Sequence, residues 1–350
     1  EAKQLYQQYE KLYPDEMAFA GAGRALAAGK GKKPLVNSPA EGMAEALFSV
    51  ASALAVDNAN GPAAYYLRLA VFLKPDFPDA YILLGRLLEA DKAFEQALAA
   101  YDRVPGGDAL KPEADLRKAW VLEALTRSDE ALAVLDGLVK SDPDSVEFQI
   151  SYGDLLRIHN KFEPAIEAYS TALKFAVQKT TKLLWPVYYS RGTCYERLKR
   201  MPEAEADMLK ALEFSPDQPQ VLNYLGYTWI EQGINKVKAQ AMLEKAVELS
   251  PNDGYIVDSL GWALFSLKKY TEAADTLERA VLLEPENPII NDHLGDAYWA
   301  AGRRREARFQ WRHALSLNAA PEAAAKINVK VEKGLQGFEP PSSPVQKPKR

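Results

Sequence analysis

Apolar residues along this chain recur at helical spacing in paired segments, and small residues punctuate each pair at fixed places. Counted from starts near Ala44, Pro78, Pro112, Val146, Trp185, Pro219, Gly254 and Pro288, the steps are 34, 34, 34, 39, 34, 35 and 34 residues. The eighth position of each unit is small: Ala51, Gly85, Ala119, Gly153, Gly192, Gly226, Gly261 and Gly295. The twentieth is alanine throughout: Ala63, Ala97, Ala131, Ala165, Ala204, Ala239, Ala273 and Ala307. A position without a bulky side chain lets one helix approach another, so each unit reads as two antiparallel helices meeting at these points. Pro75, Pro143, Pro216, Pro251 and Pro285 follow second helices and stop them, because proline cannot continue the hydrogen-bond ladder. A fixed period of this length marks an array of stacked helical hairpins whose core grows lengthwise.

Within the first helix of each unit, positions four, seven, eight and eleven form the buried stripe by helical periodicity. Two irregularities are local. The fourth unit holds about five extra residues around Val177 to Lys182, expected as a longer exposed turn, and the sixth holds one near Asn235. Residues 1–29 predict two helices, 2–13 and 15–28, broken at Pro14, as a partial repeat or an N-terminal cap. Residues 30–43 are expected as a linker, 321–335 as a capping helix, and 336–350, rich in Pro, Ser and Lys, as a disordered tail.

The small and apolar positions closely resemble those of the tetratricopeptide repeat, in eight consecutive copies from about Ala44 to Ala320. The resemblance implies an all-α fold, a right-handed superhelix of about eight helix-turn-helix repeats. It also implies that first-helix positions two, five, nine and twelve line a concave groove. In the last four repeats that face carries Tyr189, Asn223, Tyr227, Tyr255, Asp258, Trp262, Phe265, Asp292, Asp296 and Trp299, the candidate partner-binding residues. Thr193, Glu196, Gln220 and Ile289 complete it. Six aromatics are many for a solvated face, and a ring anchored in a concave site contributes about 2 kcal/mol or more to binding. Asn223 is placed to pair with the backbone of an extended peptide, and the aspartates favour a cationic or neutral ligand. The alternative left open is that some of these rings pack against the neighbouring repeat and complete the core.

Chaperone-binding relatives of this repeat grip a C-terminal carboxylate with lysine and asparagine at positions five and nine. Here those positions hold Ile150 and Asp154, Tyr189 and Thr193, or Asn223 and Tyr227, so that clamp is not expected. The N-terminal half has a plainer inner face of Phe48, Ile82, Arg86, Leu116 and Trp120.

Composition narrows the function further. The chain has 350 residues, 47% apolar and 26% charged, with a formal net charge of −5, which gives no basic excess for nucleic acid. No apolar run approaches the roughly 20 residues a membrane-spanning helix needs. A single cysteine, Cys194, excludes an internal disulfide and reads as a packing residue. The chain starts at Glu1 without methionine, so an upstream segment is expected to have been removed or omitted.

Catalytic chemistry is hard to assemble from these residues. The Gly23 to Gly31 stretch imitates a phosphate loop but has five residues between its glycines, Gly31 where Ser or Thr should hold magnesium, and no preceding strand. His159, His293 and His313 lie at no metal-binding spacing and read as exposed or structurally satisfied imidazoles. Charge runs such as Glu203–Asp207, and the Arg303–Arg305 cluster, read as solvated surface. No cofactor or metal is expected, and the chain is expected not to be an enzyme.

The runs Asp253 to Trp262, Asn291 to Trp299 and Gly302 to Trp311 resemble the C-terminal repeats of alphaproteobacterial cell-envelope proteins of this class. Related lipoproteins act as adaptors that deliver substrates to C-terminal-processing proteases. The resemblance implies residence in the periplasm or cell envelope, the cytoplasm being the alternative. It implies a scaffold or adaptor that binds a protein or extended peptide, an envelope protease or its substrates among the candidates. A self-assembling homo-oligomer and a non-catalytic piece of a larger enzyme are the alternatives.

Overall fold

The structure, a computed structural model, describes residues 36–176 and 184–335. The expectations for residues 1–29, the turn at 177–182 and the tail at 336–350 lie outside them. Every regular element among the described residues is an α-helix, seventeen in all, and the chain divides into two compact units, 1–178 and 179–350.

In the first unit the described helices are α1 (Pro39–Val56), α2 (Asn60–Leu73), α3 (Pro78–Ala90), α4 (Phe94–Tyr101), α5 (Lys111–Ala124), α6 (Ser128–Ser141), α7 (Val146–Ile158) and α8 (Phe162–Ala176). They pair as four hairpins, each stacked on the one before. The second unit pairs α9 (Trp185–Arg197) with α10 (Met201–Phe214), α11 (Pro219–Glu231) with α12 (Lys236–Leu249), α13 (Gly254–Ser266) with α14 (Tyr270–Leu283), and α15 (Pro288–Ala300) with α16 (Arg304–Ser316). A single helix, α17 (Pro321–Lys333), closes it against α16. Each unit is thus an α-solenoid of the kind the 34-residue period predicts.

The hairpins close where the small residues stand. Position-twenty alanines such as Ala63, Ala97 and Ala273 are wholly buried. Across from each position-eight residue lies a large side chain from the second helix. A Cβ on Gly153 would stand 2.8 Å from Tyr169 Cε1, and one on Gly226 would stand 2.7 Å from Leu243 Cγ. Where alanine replaces glycine, at Ala51 and Ala119, the residue sixteen further on is leucine, Leu67 or Leu135, rather than an aromatic ring.

The turn inside each hairpin is as regular. A residue in the left-handed region recurs at position fifteen, from Asn58 (φ 58°) and Lys92 (φ 57°) through Thr126 (φ 60°) to Gly302 (φ 85°). The next residue's amide returns to a carbonyl five residues back, as in Ala93 to Leu88 at 2.8 Å and Arg127 to Leu122 at 2.8 Å. This is the Schellman closure, which satisfies the last carbonyls of the first helix. The extra residue of the sixth repeat is Asn235 itself, held at φ 46° directly before α12.

Three features depart from the periodic reading. First, α1 begins at Pro39, so residues 39–43, expected in the linker, are helical. The Ser38 side chain accepts from the Glu41 amide, and the Glu41 carboxylate accepts from the Asn37 amide at 2.7 Å. With Pro39 in the first turn, these caps set the start earlier than the repeat period does. Second, α4 ends at Tyr101 because Pro105 and the left-handed Gly107 interrupt the segment. Third, the buried stripe is wider than four positions. Position three (Ala80, Ala114, Phe148) and position ten (Leu87, Val121, Leu155) are also buried on α3, α5 and α7. Each of these helices packs on its own partner and also on the hairpin ahead of it, α3 on α2, α5 on α4 and α7 on α6.

The Glu203–Asp207 run is not a wholly solvated face. Asp207 is buried and takes a two-pronged hydrogen bond from the Arg191 guanidinium at 2.8 and 2.7 Å, while Glu205 accepts from Trp229 Nε1 at 2.7 Å. Position along α10, not residue type, decides which carboxylates face water.

Candidate functional site

The candidate residues all lie on first helices of the second unit, and the structure gathers most of them into two clusters. α13 begins where Asp253 accepts from the amides of Tyr255 and Ile256, and α15 where Asn287 does the same for Ile289 and Ile290. These equivalent caps set the two helices in the same register, so position five of one meets position six of the next.

In the first cluster, the Trp262 indole lies between two rings. Phe265 is stacked at a centroid distance of 5.0 Å and 12°, and His293 at 4.3 Å and 21°. Trp262 Nε1 donates to Glu231 of α11 at 2.8 Å. His293 Nδ1 lies 2.9 and 3.1 Å from the two oxygens of Asp258, which is 8% exposed. Burial alone would hold the His293 imidazole down in pKa. The hydrogen bond to the Asp258 carboxylate and the charges of Asp258, Asp296 and Asp292 outweigh it, so the pKa stands above the usual histidine value. Tyr227 is half-buried beside this cluster, its hydroxyl pushed up by burial and by the charges of Glu231 and Asp258.

The second cluster is occupied by the protein itself. Lys330 of α17 donates to both oxygens of Asp292 at 2.8 Å and to Asp296 Oδ2 at 2.7 Å. Asp296 is 4% exposed, and its other oxygen accepts from Trp311 Nε1 at 2.9 Å. Burial, with Asp292 close by, raises its carboxyl to about 6 despite Lys330 and the Trp311 hydrogen bond. Trp299 lies 5.5 Å from Trp311, under the Arg304 and Arg308 guanidinia, and so close to Gly334 that a Cβ there would overlap the indole.

Trp299, Asp292 and Asp296 thus meet the last helix, α17. The aspartates, expected to favour a cationic or neutral ligand, are paired within the chain, Asp258 with His293 and Asp292 and Asp296 with Lys330.

The remaining candidates divide. Tyr189 is half-buried, 6.4 Å from Trp185 and packed on the core. Asn223 is half-buried, and its Oδ1 has no hydrogen-bond partner. Tyr255 is open, at 58% exposure, and Ile289, one repeat on at the same position, is at 59%. In the first unit, Ile82 and Leu116 of the plainer face are buried, Phe48 and Trp120 half-buried, and Arg86 exposed.

Sequence reasoning overlooked His293, Lys330 and Glu231 as parts of these clusters. The first had a usable signal: Asp258 and His293 are 35 residues apart, one repeat length, which places them on adjoining turns of successive first helices. His159 and Glu123, 36 apart, make another histidine–carboxylate contact between successive repeats in the first unit at 3.0 Å, at a different position of the repeat. Cys194 is wholly buried. No group of three or more potential metal ligands occurs among the described residues, and none of their helices is long and apolar enough to cross a membrane.

Comparison with known proteins agrees with this architecture. A model of the tetratricopeptide repeat matches residues 116–178 and 238–288, and a second model of the same repeat matches 186–218. The chain is 31% identical over 196 residues to the TPR repeat-containing protein PA4667 of Pseudomonas aeruginosa, a match covering 55% of this chain and 32% of that protein. The chain therefore spans about a third of the length of that curated relative. Among solved structures, the APC/C hetero-tetramer Cut9-Hcn1 matches with a TM-score of 0.57 at 18% identity, over 93% of this chain and 60% of that one. YrrB, described as a TPR protein with an unusual peptide-binding site, matches with a TM-score of 0.45 at 20% identity, over 55% of this chain and 97% of its own.

Proposed function

We propose that this tetratricopeptide-repeat chain is a non-catalytic scaffold that binds a protein or an extended peptide on the first-helix face of α11, α13 and α15. One observation carries the reading. The carboxylates Asp258, Asp292 and Asp296 of that face are hydrogen-bonded within the protein, while Tyr255 and Ile289 stand open at the same position of successive repeats. Satisfied carboxylates lower the desolvation cost of covering the face, and exposed apolar side chains in line offer the area to bury. The partner this favours is apolar or aromatic in its contact residues, rather than cationic.

The finer reading is an adaptor in the cell envelope that presents substrates to a processing protease. Its support is the resemblance of the runs around Trp262, Trp299 and Trp311 to envelope proteins of this class. Fractionation of the native host, with the chain recovered from periplasm or from cytoplasm, decides the compartment.

The binding reading is tested with a photo-crosslinking amino acid at Tyr255 and, in parallel, at Leu282, which is 82% exposed on the second helix of the same hairpin. Crosslinks to one polypeptide from position 255 and not from 282 are expected, with loss of the product in the Ile289→Ala background. Equal capture from both positions, or none from 255, overturns the assignment.

A further inference from the structure

The first hairpin exposes what every later hairpin of its unit buries. Position three is Ala80, Ala114 or Phe148 in the second, third and fourth repeats, 0%, 0% and 4% exposed. Position ten is Leu87, Val121 or Leu155, 6%, 2% and 0% exposed. In the first repeat the same positions are Ala46 and Ala53, and both are exposed. At position seven Leu84 is buried, Lys118 and Tyr152 are half-buried, and Val50 is 46% exposed. Met43, one turn before Ala46, is 60% exposed, and Tyr66 of α2 is 38% exposed. In the later repeats the hairpin ahead covers these positions, and no described hairpin lies ahead of α1.

Met43, Ala46, Val50 and Ala53 fall at i, i+3, i+7 and i+10, a continuous uncharged stripe along one side of α1. Residues of a solvated helix face are ordinarily polar, and α17, the last described helix of the second unit, exposes mostly such residues, Glu322, Lys326, Asn328, Glu332 and Lys333, beside Ala325 and Val329. The exposed stripe of α1 carries no charge, whereas a terminal cap needs a polar outer face.

We infer that this face is a stacking seat, and that its occupant is the chain's own segment 1–29. Two observations select that occupant. Leu5, Tyr9 and Leu12 recur at i, i+4 and i+7, the apolar spacing that a seat of this kind accepts. The segment ends at Gly29, with only nine residues between it and Pro39, so the connection that would return it to α1 is short. The inference is independent of the binding face in the second unit.

Hydrogen exchange on the full chain, read by mass spectrometry, tests it. Amides within 1–29 are expected to exchange at least roughly tenfold more slowly than an unstructured chain, and to lose that protection in Ala46→Asp and Val50→Asp. Both substitutions lie at exposed positions, so protection of α3 to α8 is expected unchanged and reports that the unit stays folded. Exchange of 1–29 at the unprotected rate in the parent chain overturns the inference. So does protection of α1 that rises with protein concentration alongside a dimeric mass in light scattering, which assigns the seat to a second copy.

Discussion

The Trp311 indole of α16 lies across the bare Cα of Gly295 on α15, so closely that a Cβ at that position would overlap the ring. Its Nε1 donates to Asp296, one residue along the same helix, at 2.9 Å. One contact thus joins the closure of the last hairpin to the carboxylate on which α17 is seated.

Gly295→Ala is expected to destabilise the second unit by about 2 kcal/mol, the helix-propensity gain being outweighed by forced displacement of a fully buried indole. Gly137 in α6 is the control. Its Cβ would meet nothing within 4 Å, so Gly137→Ala should stabilise by up to about 1 kcal/mol. Chemical denaturation followed by far-UV circular dichroism distinguishes the two signs.

The left-handed turn residues are not all suited to their backbone. Thr126, β-branched at φ 60°, pays more for this conformation than the asparagines at the equivalent turns. Thr126→Gly should stabilise the first unit by about 1 kcal/mol, whereas Gly302→Thr at φ 85° should cost at least as much. Midpoints of thermal unfolding that move the other way at either site would contradict this account of the turn.

Lys330 is the cation paired with the buried Asp296. Lys330→Ala leaves that carboxylate facing Asp292 without a counter-charge and should weaken the seating of α17 by about 3 kcal/mol. Amides of 321–333 should then lose protection while those of α13 and α14 keep theirs. Lys330→Met, which retains the aliphatic stem, should be no better if the charge is what matters.

Two groups make the second unit lose stability as pH rises. The Asp296 carboxyl, raised from 3.8 to about 6, binds its proton more tightly when folded, so its contribution is greatest near pH 4 and is gone above about 6. The His293 imidazole, raised from 6.5 by Asp258 and its neighbours over the opposing effect of burial, contributes fully below that value and less as pH climbs through its folded pKa. Denaturation midpoints between pH 4 and 9 should fall in two steps, Asp296→Asn removing the lower and His293→Gln the upper. A rise in stability across this range in the parent, absent from both variants, would reverse the assigned signs.

Much of the hairpin was legible because a repeat prints its own geometry. Position eight, position twenty and the closing prolines each mark a contact inside one unit, and eight copies make the signal unambiguous. The single extra residue at Asn235 could be placed for the same reason. The start of α1 was not legible from the period, because it is set by the side-chain caps at Asn37, Ser38 and Glu41, which begin the helix ahead of the repeat start at Ala44. The candidate residues lie on the first helices to which the spacing assigns them, but their tertiary partners were not legible. Trp299, Asp292 and Asp296 look free in sequence because their neighbour, Lys330, comes from a helix outside the repeat pattern.

What the sequence alone determined is therefore the local geometry: helix pairs, their small-residue contacts, their turns and the first-helix face that gathers the aromatic rings. Helical periodicity reports which side of a segment is apolar, and that suffices when both partners lie within one hairpin. Only the tertiary structure decided what each hairpin meets next. It buried positions three and ten on later repeats and left Ala46 and Ala53 bare on the first. It turned Asp258 toward His293 and set Lys330 between Asp292 and Asp296. Those outcomes depend on the burial and charge of a neighbour a whole repeat away, and a residue's own spacing carries no record of them.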